Sequence, residues 1–234
     1  MAQGHLIAAA GLGREARILA ADGVVAIAGG GDAARLEAEI EAVCAGAVGI
    51  ISIGLGGALA EGLKPGDWVV ADMITPPPSR GRGTDLAWTQ RLFEALPGAR
   101  LGPILGSDVM VTSAAAKAAL FAATGALAVD MESHIAARVA ARHGLPFAAA
   151  RTISDGADRA LPLAAQAGMR PDGGMDVMAV LAALAGRPYE LPALIRTGLE
   201  AETAFRALLR GRQLLGPTLR GPGADFGELL VDVG

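Results

Sequence analysis

Apolar runs of strand length alternate along the chain with segments whose apolar positions recur every three or four residues. Residues 5–10 (HLIAAA) and 24–28 (VVAIA) read as strands, with a short helix over 14–21 between them. After Gly29-Gly30-Gly31, Asp32 is a suitable N-cap for a helix running to Cys44, with Ala33, Leu36, Ile40 and Val43 on one face. Residues 48–53 read as a strand that ends at Gly54-Leu55-Gly56-Gly57, Lys64-Pro65-Gly66-Asp67 as a turn, and 68–74 as a further strand. Residues 75–84, with three consecutive prolines, predict a loop. Helices are expected over 85–96, 114–124 and 133–143, the last two stopped by Gly125 and Gly144, with strands over 126–131 and 145–153. From 175 to 215 the pattern is mostly helical.

Strands alternating with helices predict an α/β fold in which helices flank a mixed or largely parallel sheet. Residues 1–215 are expected to form a single domain, and the Gly/Pro-rich residues 216–234 a poorly ordered tail.

Composition narrows the functional classes. The 234 residues suffice for one large core. Hydrophobic residues make up 52% of the chain and aromatics only 3%, which excludes an aromatic base-stacking platform. A net charge of −4 argues against a nucleic-acid partner. The single cysteine, Cys44, excludes a disulfide framework and a Cys-rich zinc site, and its apolar surroundings predict a buried thiol. The uncharged stretch 42–60 could pass for a membrane span on hydropathy, but its five glycines fit a buried strand and a glycine turn. The apolar run after His5 is too short for a secretory signal, so a cytoplasmic protein without a stable membrane span is expected.

Four segments carry candidate chemistry. Gly11-Leu12-Gly13-Arg14-Glu15-Ala16 follows a strand and opens a helix, and with Asp32 some way on it satisfies a dinucleotide-binding pattern; the position of Asp32 as a helix cap weakens that reading. Residues 54–57 are either a tight turn or a backbone N–H cradle for an anion or a small polar nucleophile. Val129-Asp130-Met131-Glu132-Ser133 and Arg151-Thr152-Ile153-Ser154-Asp155-Gly156-Ala157-Asp158 each put two acids at the end of an apolar strand. A carboxylate entering a core is costly unless it is paired or used. His5, His134 and His143 have no metal-ligand spacing and join no hydrolase triad; only His134, beside Glu132, is a catalytic candidate, and no metal is expected.

Together these segments resemble the nucleoside phosphorylase and methylthioadenosine/S-adenosylhomocysteine nucleosidase superfamily. Ile51-Ser-Ile-Gly-Leu-Gly-Gly-Ala-Leu59 with Leu63-Lys-Pro-Gly-Asp-Trp-Val-Val70 is similar to its glycine segment, residues 129–133 to its ribose-binding segment, and Ile153-Ser-Asp-Gly-Ala-Asp158 to its general-acid loop. Within the superfamily, Asp-Met-Glu-Ser at 130–133 and the Pro- and Leu-rich Leu191-Pro192-Ala193-Leu194-Ile195 most resemble the hopanoid-associated phosphorylases.

The resemblance implies a single-domain, three-layer nucleoside phosphorylase-like fold and cleavage of a purine nucleoside. In the hopanoid branch the substrate is adenosylhopane, cleaved by phosphorolysis with release of adenine. Inorganic phosphate is then the co-substrate, no other cofactor is needed, and the protein is a homo-oligomer, a dimer by preference. Asp155 becomes the acid at purine N7, Glu132 the holder of the ribose hydroxyls, and Met131 and Ser154 further contacts to the nucleoside. Glu15 falls where the nucleosidase branch orients its water, and Met110 and Val111 fall near the base-stacking position. Gly31, Gly56 and Gly57 would offer N–H groups to phosphate or water, with Arg14, Arg35 or Arg151 adding charge. The chain departs from the family at Leu55, where a Ser is usual, and at the missing stacking Phe. Hydrolysis by a methylthioadenosine/S-adenosylhomocysteine nucleosidase is the alternative, and a nucleoside-binding protein without catalysis the alternative outside enzymes.

Protonation at N7 removes the negative charge from a departing purine. The sugar meanwhile becomes oxocarbenium-like, and a carboxylate on its hydroxyls favours the growing positive charge.

Overall fold

The computed structural model describes residues 4–75, 82–163, 165 and 177–222. Strand β1 (His5–Ala10) leads through α1 (Gly13–Leu19), β2 (Val24–Ala28) and α2 (Ala33–Ala42) to the long β3 (Ala47–Ala58). Then follow β4 (Trp68–Ile74), the two-residue β5 (Arg82–Gly83), α3 (Leu86–Ala95), β6 (Arg100–Gly106), α4 (Ala114–Thr124) and β7 (Ala128–Asp130). The chain continues with α5 (Ser133–His143), β8 (Phe147–Asp155), α6 (Val177–Gly186) and α7 (Leu191–Leu215).

Local chemistry sets the helix ends. The side chains of Asp32, Asp85 and Ser113 accept from the N–H groups of Arg35, Trp88 and Ala116 at 2.9, 2.8 and 3.1 Å, each satisfying a first-turn donor. Gly125 and Gly144, with φ of 67° and 62°, end α4 and α5 in the left-handed conformation that glycine adopts without a Cβ penalty.

The strands form one mixed sheet in the order β2-β1-β3-β7-β6-β4-β5, with β8 pairing to β3 and β4. β1, β2, β3 and β8 run parallel, whereas β4 is antiparallel to β8 and β7 antiparallel to β3. Because β7 also pairs with β6, and β6 with β4, the strands β3-β8-β4-β6-β7 close into a ring. Alternation along the strands builds the layers. Ile7 and Ala9 of β1 pack with Leu36 and Ile40 of α2 and Ile135 and Val139 of α5, while Leu6, Ala8 and Ala10 pack with Leu19 of α1, Trp88 and Leu92 of α3 and Leu208 of α7. Each buried Leu or Ile contributes about 1.5–3 kcal/mol. The sheet flanked by helices is the expected fold class.

Several boundaries differ from expectation, each for a tertiary reason. β3 does not end at Gly54 but continues through the glycines to Ala58, because β8 pairs residue for residue alongside it, Gly54 against Arg151 and Gly56 against Ile153. The glycines admit neighbours: a Cβ at Gly54 would lie 2.8 Å from Glu15 Oε1, and one at Gly56 3.0 Å from the Val129 carbonyl oxygen. β6 was not foreseen, since Gly102 and Pro103 interrupt its apolar pattern; Gly102 leaves room for Leu127, whose Cδ1 would meet a Cβ there at 2.6 Å. β7 is shorter than 126–131 because Asp130 turns to receive the N–H groups of Glu132 and Ser133. Within the expected loop 75–84, Arg82 and Gly83 pair with the end of β4, and residues 76–81 lie outside the described residues. Of the tail, 216–222 pack on α3, with Leu219 buried and its carbonyl receiving Trp88 Nε1 at 3.0 Å; the rest lies outside the described residues. Among the described residues no helix is long and apolar enough to cross a membrane, and the uncharged stretch 42–60 is mostly β3.

Candidate active site

The ends of β1, β2 and β8, the glycine half of β3 and the turn from β7 into α5 surround a cavity of about 240 Å³. Glu15, Glu132 and Asp155 line it, together with Met131 and Ser154. Met110 and Val111, on the segment between β6 and α4, form another part of the wall, and Gly31, Gly56 and Gly57 line it without side chains. Glu15, Glu132, Asp155, Met131, Ser154, Met110, Val111 and the three glycines therefore meet at one place. Gly31 has φ of +81°, a conformation that suits only glycine there, and a Cβ would lie 3.8 Å from Met131 Cε.

Glu15 is buried at the start of α1. Its Oε2 accepts from Leu12 N at 2.5 Å, the reach of a helix's third residue back to the N-cap, and its Oε1 accepts from Leu55 N at 2.6 Å. Burial pushes this carboxyl above the ordinary carboxylate range, against the pull of the Leu55 and Leu12 N–H groups and the Arg151 charge. The Leu55 contact explains why the missing Ser leaves the strand intact: it is the backbone N–H that holds Glu15, whatever the side chain.

Behind the wall lies a buried charge network. Arg151, fully buried on β8, donates to Ser52 Oγ at 2.6 Å and to the Ala150 carbonyl at 3.0 Å. Its Nε is 2.9 Å from Asp130 Oδ2, a charge contact without the alignment of a hydrogen bond, and its Nη2 is 3.6 Å from Glu132 Oε2. One guanidinium thus faces Asp130, Glu132 and Glu15. Burial first, then the Asp130 charge, push Glu132 up to about 8, with Glu15 adding to the rise and Arg151 opposing it.

Asp155 ends β8. Its Oδ1 accepts from Ser154 Oγ at 2.6 Å, and its Oδ2 is paired with Lys117 Nζ from α4, which also donates to the Gly156 carbonyl at 2.9 Å. Sequence reading missed Lys117. The available signal was its isolation: α4 (AAAKAALFAAT) has no other charged residue. Leu12, Val109 and Leu161 were also missed as apolar wall, and Leu55 with Thr197 and Ala201 of α7 completes it.

Other candidates lie elsewhere. Arg14 pairs with Glu202 at 2.7 Å and stacks on the Phe205 ring, and Arg35 donates to the Ala28 carbonyl; neither they nor Arg151 line the cavity. Asp32 caps α2, which removes it as the acidic partner of a dinucleotide. His134 Nε2 meets Asp108 at 2.9 Å, His5 Nε2 meets the Val43 carbonyl at 2.8 Å and His143 meets Glu41, all off the cavity wall. Cys44 is buried, and burial raises its thiol.

The profile of the Phosphorylase superfamily matches residues 7–187, more than half of the chain. The chain belongs to the phosphorylase superfamily and is an enzyme of it. No curated protein matches it in sequence. Its fold is similar to that of the 5'-methylthioadenosine/S-adenosylhomocysteine nucleosidase of S. pneumoniae with the transition-state inhibitor MT-ImmA, at a TM-score of 0.64, 20% identity and coverage of 93% of this chain and 99% of that one. The S-adenosylhomocysteine nucleosidase of Streptococcus pyogenes in complex with 5-methylthiotubericidin gives 0.65 at 18% identity, with 94% and 98% covered. The futalosine hydrolase of Helicobacter pylori gives 0.59 at 18% identity, with 90% and 97% covered.

Proposed function

We propose that the protein hydrolyses the N-glycosidic bond of an adenine nucleoside carrying an apolar 5′ group. Asp155 is the acid at purine N7, Glu132 grips the ribose hydroxyls with Met131 against sugar and base, and Glu15 orients the attacking water. One observation carries the choice of water: among the described residues the cavity wall bears Glu15, Asp130, Glu132 and Asp155, and no Lys or Arg. A phosphate dianion beneath the sugar would leave water for a wall of acidic side chains with no cation to balance it, a desolvation penalty on the order of several kcal/mol. Water carries no such penalty, and a buried Glu15 with a raised pKa is a stronger base toward it.

Phosphorolysis is the second reading. Gly31, Gly56 and Gly57 favour it, since they line the cavity with no side chain between an anion and the main chain. The apolar 5′ group is supported by Leu12, Val109 and Leu161 on the wall and by α7, which contributes Thr197 and Ala201. Adenosylhopane, the substrate implied by the hopanoid-associated resemblance, has such a group. The exposed stripe Leu191, Ile195 and Leu199 on α7 supports a homo-oligomer.

The test offers adenosine and a series of 5′-alkylthioadenosines, with and without phosphate, and identifies both products. Equal adenine release without phosphate, with free sugar as co-product, is the expected result. Strict phosphate dependence with a sugar 1-phosphate product overturns hydrolysis in favour of phosphorolysis. A flat or falling kcat/KM along the alkyl series overturns the apolar 5′ group.

A further inference from the structure

Lys117 is placed where an alanine helix would not put it for its own stability. Ala115, Ala116, Ala118 and Ala119 of α4 face solvent, and the helix's one cation is turned inward to 0% exposure. Burying an ammonium costs several kcal/mol even when paired, and an apolar side chain of similar volume is often neutral or stabilising in such a place. Lys117 does not line the cavity, and its Nζ bonds are to Asp155 Oδ2 and the Gly156 carbonyl. Whatever its charge does for the reaction passes through Asp155. Lys117 Nζ is a proton donor in direct contact with Asp155 Oδ2, while Asp155 is 6% exposed and reaches water through a cavity that substrate fills.

We propose that Lys117 is a positioning residue that also loads Asp155 with the proton it delivers. This rests on Asp155 being the acid at N7. As the C1′–N9 bond breaks, its electron pair passes into the purine. The Asp155 carboxyl passes to N7 the proton it takes from Lys117 Nζ, and Lys117 is left as a neutral amine. The attacking water gives its oxygen and one hydrogen to C1′ and releases the other as a proton, so reprotonation of the amine closes the balance. Ser154 Oγ, on the other oxygen of Asp155, holds the carboxyl plane while the proton crosses.

The experiment compares wild type, Lys117→Met, Asp155→Asn and the double variant on two substrates. One is adenosine or its 5′-alkylthio derivative, whichever the wild type cleaves faster. The other is 4-nitrophenyl β-D-riboside, whose leaving group departs without a proton. Lys117→Met is expected to lose about 10²-fold in kcat on the adenine nucleoside with KM nearly unchanged, while the nitrophenyl riboside is cleaved at close to the wild-type rate. The double variant, which leaves no unpaired buried charge, is expected to match Asp155→Asn, because residues acting as one unit are not additive. Equal losses on both substrates, or a double variant about tenfold below Asp155→Asn, overturns the proposal and decides the matter even where Lys117→Met alone fails to fold. Near-native cleavage by Lys117→Met beside an inactive Asp155→Asn refutes the role of Lys117 and leaves the acid in place. Near-native cleavage by Asp155→Asn refutes the acid itself.

Discussion

Glu15 and Glu132, 117 positions apart in sequence, face each other across Gly11: a Cβ built there would stand 3.3 Å from Glu15 Oε2 and 2.9 Å from Glu132 Oε1. The turn after β1 therefore sets the gap between the carboxylate proposed to orient water and the one proposed to hold ribose.

Gly11→Ala tests that spacing. The atoms displaced are the tips of two side chains, so folding should survive with a small change in Tm. The reaction should not: a misplacement of about 1 Å can cost 10²-fold, and a loss of that order in kcat/KM is expected. Steady-state kinetics alongside thermal melts check this, and unchanged kcat/KM would show that the carboxylates can shift without penalty.

Glu132→Gln has two expected signatures. Affinity for ribonucleosides should fall more than for their 2′-deoxy counterparts, because only the former present a 2′-hydroxyl to the carboxylate; equal losses count against the contact. The second signature is thermodynamic. The folded protein keeps a proton on Glu132 up to about 8, whereas the unfolded chain releases it near 4.5. Between those values the native state binds more protons, so the stability from this group is full below 4.5 and is lost as pH rises through 8. Wild-type Tm should decline over this window, and the decline should be shallower in Glu132→Gln. Parallel melting profiles would refute the assignment.

Asp155→Asn should retain nucleoside binding and lose about 10²–10⁴-fold in turnover, since the amide fills the same space but has no acidic proton to give. Isothermal titration with a nucleoside and single-turnover kinetics separate the two effects. Full turnover would remove Asp155 from the chemistry.

Leu55→Ala should keep hydrolysis within about threefold of wild type, because the bond to Glu15 comes from the backbone N–H. A loss comparable to that of Glu15→Gln in the same assay would mean that the leucine side chain, which lies on the cavity wall, positions the substrate.

Much of the fold was legible because the signals are local. Asp32, Asp85 and Ser113 cap the helices that begin beside them, and Gly125 and Gly144 end the helices they follow, since a cap is decided within four residues. The extension of β3 through Gly54-Leu55-Gly56-Gly57 was not legible. Glycines weaken a strand in isolation, and only the pairing with β8 and the pressure of Glu15 and Arg151 on their Cα atoms make them part of one.

The site divides the same way. The sequence by itself determined that Asp130, Glu132 and Asp155 stand at the ends of apolar strands, because a strand with an acid at its mouth is a short-range pattern. Glu15, in α1, was singled out only by the family resemblance; Glu15, Glu132 and Asp155 meet around one cavity. The tertiary structure alone decided which charges face each of them. Arg151 balances Asp130 and Glu132 from inside the sheet, and Lys117 reaches Asp155 from a helix 38 residues earlier. Desolvation and Coulomb attraction depend on distance and burial in space, and neither is written in the spacing of residues along a chain.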